Sequence, residues 1–259
     1  MSTPVADSSA HAGAPSGALG AISFRGPDAG KFLQGQLSAE IEKLPDGAST
    51  LAGLHNPQGR VIALLAVTRR SAEEFLAVLP LELLTPVVTR LNKYVLRAKV
   101  RLADATAESS HLLESGPDRD LADIRAGIPQ VYAATSEAFV AQMLNLDLLG
   151  AIAFDKGCYT GQEVIARAHY RGRVKRRLQR WQLPGAAPRP GDTVHAADGR
   201  TLTVVRSAPT AAGHELLAVG TFGPAVDPVA DAPAADATPA TAAGAEVSGP
   251  LPLPYDLPN

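Results

Sequence analysis

The sequence predicts an α+β domain followed by a small β-barrel. Up to Gly172, short apolar strand patterns are mixed with amphipathic helical ones; beyond it the texture changes to short strands around turn residues. The chain has 259 residues and is 46% hydrophobic, enough for a substantial core in one large or two modest domains.

Residues 1–18 are rich in Ala, Ser, Gly and Pro without periodicity and are expected to be a disordered tail. A strand over 19–24 precedes Pro27, which suits the first turn of a helix containing Phe32 and Leu33. Gly59 supplies a turn before an apolar strand over 61–68. Ser71 with Glu74 makes a capping box, although 75–79 is apolar enough to be a strand instead. Helical periodicity returns over 81–92 despite Pro86, and strands are expected at 99–103 and 131–134, with a short helix at 135–142.

The barrel strands are expected at 174–183, 193–196, 201–207 and 215–220, with Asp198-Gly199 as a hairpin turn. Residues 223–249 are mostly Ala, Pro, Asp and Thr, with acids and no Lys or Arg, and read as a disordered linker. The domains are therefore 19–172 and 173–222, with 250–259 as a segment that returns to close the barrel.

Composition excludes several classes. One cysteine cannot form an internal disulfide, which suits the cytoplasm. No apolar run approaches the roughly 20 residues that span a bilayer, and residues 1–17 lack a targeting pattern. The six histidines are scattered without metal-ligand spacing, and one thiolate cannot hold a cluster that normally takes four. Gly26 to Lys31 has the wrong spacing for a phosphate loop, and no nucleophile elbow is present.

The chemistry concentrates in Lys156-Gly157-Cys158-Tyr159-Thr160-Gly161-Gln162-Glu163, which holds the only cysteine. Thr160 and Glu163 form a capping box, so Thr160 is expected to N-cap a helix whose apolar side includes Val164, Ile165 and Ala168 and which stops at a left-handed Gly172. Cys158 then lies just ahead of the positive end of the helix dipole with Lys156 nearby, and both features favour a thiolate of lowered pKa. A small buried hydrophobe is the alternative for Cys158, and plain capping for Glu163.

The run from Gly150 through Glu163 to Tyr170-Arg171-Gly172 resembles the signature of the folate-binding YgfZ family, which is related to the aminomethyltransferase (T-protein) of glycine cleavage. Further landmarks follow in the family's order across 19–222: the stretch from Gly26 to Leu37, then Ala126-Gly127-Ile128-Pro129, then the run from Gln142 to Asp147. The resemblance implies pseudo-symmetric subdomains around a central hole, then a C-terminal β-barrel. It also implies a cofactor, tetrahydrofolate or a one-carbon derivative, and a role in assembling or repairing iron-sulfur clusters of client enzymes, with Cys158 as the critical residue; in the mechanism read from the motif, Lys156 keeps that thiolate charged. The partners would be those clients or cluster carriers and possibly a small thiol.

The candidate folate contacts are Asp123, Arg125, Gln142, Asn145, Asp147 and Tyr159. Arg125 occupies the place of the transferase's acidic pterin partner, and carboxylates and amides complement a pterin edge. Asn145 and Asp147 could equally cap the segment around 146–149. The strand after Asn56-Pro57-Gln58-Gly59 carries Val61, Ile62, Ala63 and Leu64 and lacks the carboxylate a true aminomethyltransferase uses there. That favours a helper over a one-carbon transferase. An RNA-binding module for tRNA modification is a further alternative, from the basic block Arg167, Arg171, Arg173, Lys175, Arg176, Arg177 and Arg180. A solvated strand face, or a dock for an acidic partner, is the plainer reading of the same charges.

Overall fold

In the computed structural model the described residues are 17–113, 115–172, 174–185, 187–222 and 241–258. Nearly all of the expected tail, and 223–240 of the expected linker, lie outside them.

Five strands, β1 (Leu19–Arg25), β2 (Ser49–His55), β3 (Val61–Ser71), β4 (Glu74–Pro80) and β5 (Arg101–Asp104), form an antiparallel sheet in the order β2-β3-β4-β1-β5. Two helices pack on it, α1 (Ala29–Gln36) and α2 (Leu81–Asn92). Their buried residues, Phe32 and Leu33 on the first and Leu83, Leu84, Val87 and Leu91 on the second, join Phe24, Leu65 and Phe75 in the main core. The ambiguity at 71–79 resolves as β4. Phe75, Leu76 and Ala77 are all buried within the sheet, and that burial outweighs the local capping pattern.

Residues 131–142 depart from expectation, with single 3-10 turns at Ala133–Thr135 and Ala141–Leu144 in place of a strand and a helix. Long-range pairing takes up the backbone between them. Glu137 donates its N–H to the Val61 carbonyl, Val61 donates to Phe139, and Arg60 bridges Val140. A helix over 135–142 would need those groups for its own ladder. The helix α3 (Pro117–Arg125) was not expected, although Pro117 at its start and Asp118 and Asp120 in its first turn are helix-start signals.

The remaining strands, β6 (Arg176–Leu183), β7 (Thr193–Ala196), β8 (Thr201–Thr210), β9 (Gly213–Thr221) and β10 (Thr241–Leu251), close a barrel in the order β10-β6-β9-β8-β7. Trp181, Val204, Leu216 and Val247 are in its core. The expected linker is therefore too long at its far end: 241–249 belongs to β10, which runs antiparallel to β6 and parallel to β7. Without it both neighbours would present unpaired edges, and the burial of Val247 adds an apolar contribution.

Ion pairs and hydrogen bonds weld the barrel to the rest of the chain. Arg177 donates two hydrogen bonds to the Asp147 carboxylate at 2.8 and 2.9 Å, and both side chains are only 6% exposed. Arg206 reaches Asp120 at 2.6 Å and Asp123 at 2.8 Å. Glu215 accepts from both Arg125 and Arg180; burial pushes its carboxyl up, but the two guanidiniums outweigh that and hold it below the usual carboxylate range. Asn145 donates to the Leu178 carbonyl at 3.0 Å, and the Tyr255 hydroxyl donates to the Gly127 carbonyl at 2.8 Å.

Removing one partner of a buried pair strands the other charge, so Asp147→Ala should lower stability by about 3–5 kcal/mol. The apolar double variant Asp147→Leu/Arg177→Met should recover part of that loss, because the Gln142 carbonyl and Asn145 Oδ1 also lose their Arg177 donor. Urea denaturation of the three proteins checks both.

Candidate functional site

The cysteine motif is a loop leading into α4 (Gln162–Arg171). Gly161, not Thr160, is the N-cap, and it has no side-chain cap bond. Its φ is +82°, and an added Cβ would lie 2.5 Å from the Asn56 carbonyl oxygen. The helix start abuts the Asn56–Arg60 turn so closely that only glycine fits. The bracket expected of Thr160 and Glu163 is made by Gln162. Its Oε1 accepts from the Tyr159 N–H at 3.2 Å, and its Nε2 donates to the Lys156 carbonyl at 3.4 Å. Glu163 is exposed, and Gly172 is extended at φ −101° rather than left-handed.

Cys158 is exposed, which removes the buried-hydrophobe alternative. Lys156 is 8% exposed, and its Nζ donates to the carbonyls of Leu37 and Ala39, each at 2.7 Å. Burial pulls its pKa from 10.5 to about 8, with Glu40 and Glu42 opposing the shift. The ammonium expected to support a thiolate is thus occupied in holding the loop to the segment after α1.

Between those two carbonyls Ser38 is fully buried. Its Oγ donates to the Ala151 carbonyl at 2.6 Å and accepts from the Gly53 N–H at 2.8 Å, while its backbone bonds Gly53 and Ala153. Tyr159 completes the anchorage, buried with its ring 5.2 Å from the Lys156 Nζ and its phenol pushed up to about 12 by burial.

On the same ring, 6.2 Å away, lies His55, which is 1% exposed with neither ring nitrogen hydrogen-bonded among the described residues. Burial lowers its pKa to about 4, so it is neutral at physiological pH. In the sequence His55 is one of several scattered histidines; its place at the end of an apolar run, directly before a turn, is the available signal.

The expected folate contacts do not converge on a pterin cradle. Asp123, Arg125, Asn145 and Asp147 spend their polar groups on the barrel, through Arg206, Glu215, Leu178 and Arg177. Gln142 donates to the Ile165 carbonyl at 2.7 Å, and its buried Oε1 has no partner among the described residues.

The basic block also divides. Arg177 and Arg180 are in ion pairs and Arg176 bonds Thr203, whereas Arg167, Arg171 and Lys175 are exposed; Arg173 lies outside the described residues. Among the described residues no His, Cys, Asp or Glu side chains group as a metal site, and no helix is long and apolar enough to cross a membrane.

An antiparallel sheet with flanking helices, a barrel and this anchored loop define a mixed α/β protein of aminomethyltransferase-like fold. The solved glycine cleavage system aminomethyltransferase T of Bartonella henselae matches with a TM-score of 0.60 at 14% identity, covering 78% of this chain and 76% of that one. No family model matches. Curated relatives do: the tRNA-modifying protein YgfZ of Klebsiella pneumoniae is 31% identical, with 66% of this chain and 70% of that one covered. The tRNA-modifying protein YgfZ of Edwardsiella ictaluri is also 31% identical, over 65% and 69%. The chain belongs to the YgfZ family.

Two variants test the anchorage. Lys156→Met leaves two buried carbonyls unpaired and should cost about 2–4 kcal/mol in urea denaturation. As pH falls from 6.5 towards 4, the unfolded chain takes up a proton that folded His55 resists, so stability is lost across that window and restored above it. His55→Gln should lack that part of the acid slope when denaturation is compared at both ends of the window.

Proposed function

We propose that this protein is a tetrahydrofolate-dependent accessory factor for assembly or repair of iron-sulfur clusters in client enzymes, working through the Cys158 thiolate. One observation carries the reading: Lys156, Tyr159, Gly161 and Gln162 all have structural tasks, while Cys158, at the centre of the same loop, is exposed and has none. A rigid loop that presents one thiol suits contact with a macromolecular partner. Thiolate is a soft ligand for iron, and a single one cannot hold a cluster, so the remaining ligands come from the client, a carrier or a small thiol.

Folate enters through the fold and the family, including the pseudo-symmetric subdomains around a central hole that this family resemblance implies. Its contacts are not assigned to the barrel-facing residues, and no step is derived through it. The start of β3, with Val61, Ile62, Ala63 and Leu64 all buried and apolar, offers no carboxylate for one-carbon transfer. That supports a helper over a transferase. The single cysteine fits a cytoplasmic location in this reading.

The test is the activity of iron-sulfur enzymes in cells lacking the protein, complemented at matched levels. Wild type should restore activity and Cys158→Ala should leave it at the deletion level, with folding stability changed by less than about 0.5 kcal/mol because the side chain is exposed. Equal rescue would remove Cys158 from the mechanism, and the absence of any defect would remove the cluster role.

A further inference from the structure

The outward side of α4 carries a cluster that the thiol reading does not use. Phe154 and His169 stack with ring centroids 3.9 Å apart and planes 20° from parallel, and Tyr170 meets them edge-on at 6.0 and 4.8 Å. Tyr170 is nevertheless 69% exposed. Arg167 and Arg171 flank it in a shallow cleft floored by Ala166, and neither is in an ion pair or hydrogen bond among the described residues. Spacings of three and four residues put all three side chains on one helical face. Glu163, in the first turn, is the only acid on this helix.

Surface arginines are usually solvated, and a lone exposed ring needs no explanation. The combination is more specific. An exposed ring held edge-on by a stacked pair offers a flat apolar platform, and two guanidiniums beside it, uncommitted among the described residues, offer bidentate anion contacts. An acidic peptide would satisfy the charges and leave the platform idle. A nucleic acid strand with an unpaired base satisfies both, and in cells unpaired bases are presented mainly by the loops and ends of RNA.

We propose that this face binds single-stranded RNA, with a base on Tyr170 and the flanking phosphates on Arg167 and Arg171. The inference does not rest on the cluster role of Cys158.

The experiment is a fluorescence anisotropy titration of the full chain with a labelled oligouridylate of about 12 nucleotides, within the span such platforms cover. A deoxyribose strand of the same length, an RNA duplex and a polyglutamate peptide serve as competing probes. Tyr170→Ala should weaken RNA binding about five- to hundredfold, the loss expected for one stacked base, while Tyr170→Phe retains it. Arg167→Ala/Arg171→Ala should weaken binding and reduce the slope of log K against log salt by about 1.4. Lys31→Ala, a loss of exposed charge elsewhere, should do neither.

Equal binding of polyglutamate would make the face a dock for an acidic protein, and equal or tighter binding of duplex or DNA would remove the single-stranded RNA assignment. No saturable RNA binding, or equal losses in Lys31→Ala and Tyr170→Ala, would overturn the proposal.

Discussion

The geometry around the thiol depends on three consecutive backbone units, Leu37, Ser38 and Ala39. The Leu37 and Ala39 carbonyls turn toward the cysteine loop, and the Ser38 carbonyl and hydroxyl toward the segment that enters it, while the Leu37 and Ser38 N–H groups stay bonded to Leu33 and Gly53. Ser38 joins β2 to the segment entering the motif, and the Lys156 ammonium closes the arrangement by filling both neighbouring carbonyls. A buried ammonium without a carboxylate partner is costly, and it is tolerable here because two short charge-assisted hydrogen bonds replace its water. The loop is consequently fixed to the main core and not to the surface. An exposed cysteine can then be held in one place although nothing holds the cysteine itself.

The barrel is attached by a different kind of contact. Asp120, Asp123, Arg125 and Asp147 meet Arg206, Glu215 and Arg177 across an interface with apolar residues on both sides. Pairs of this kind add little net stability compared with apolar replacements, but each half strongly disfavours any arrangement that leaves it alone. They therefore specify how barrel and sheet meet, more than how tightly.

Those pairs also explain which parts of the site were legible in the sequence. Asp123, Asn145 and Asp147 read in the sequence as folate contacts; in the structure their polar groups bond Arg206, Leu178 and Arg177. Which purpose such a residue serves depends on partners some 30 or more residues away, and single-sequence patterns carry no such pairing. For the same reason, proximity in sequence to Cys158 carries no sign of the Lys156 hydrogen bonds to Leu37 and Ala39. Periodic elements such as β1, β3, α2 and the Asp198-Gly199 hairpin were readable because their signals are local. The turns at 133–144 and strand β10 were not, being set by pairing with β3 and by barrel closure. At α4 the capping pattern located the helix within two residues but named the wrong cap, because steric contact with the Asn56 carbonyl selects glycine.

Barrel closure also has a consequence in time. The strand that seals β6 and β7 follows all the other described strands, and Tyr255, which reaches back to Gly127, follows it. During synthesis four barrel strands and the whole five-stranded sheet leave the ribosome before the seal is available. For that interval the edges of β6 and β7 lack their partner and are open to neighbouring chains, so mispairing is most favoured between the emergence of β9 and that of β10.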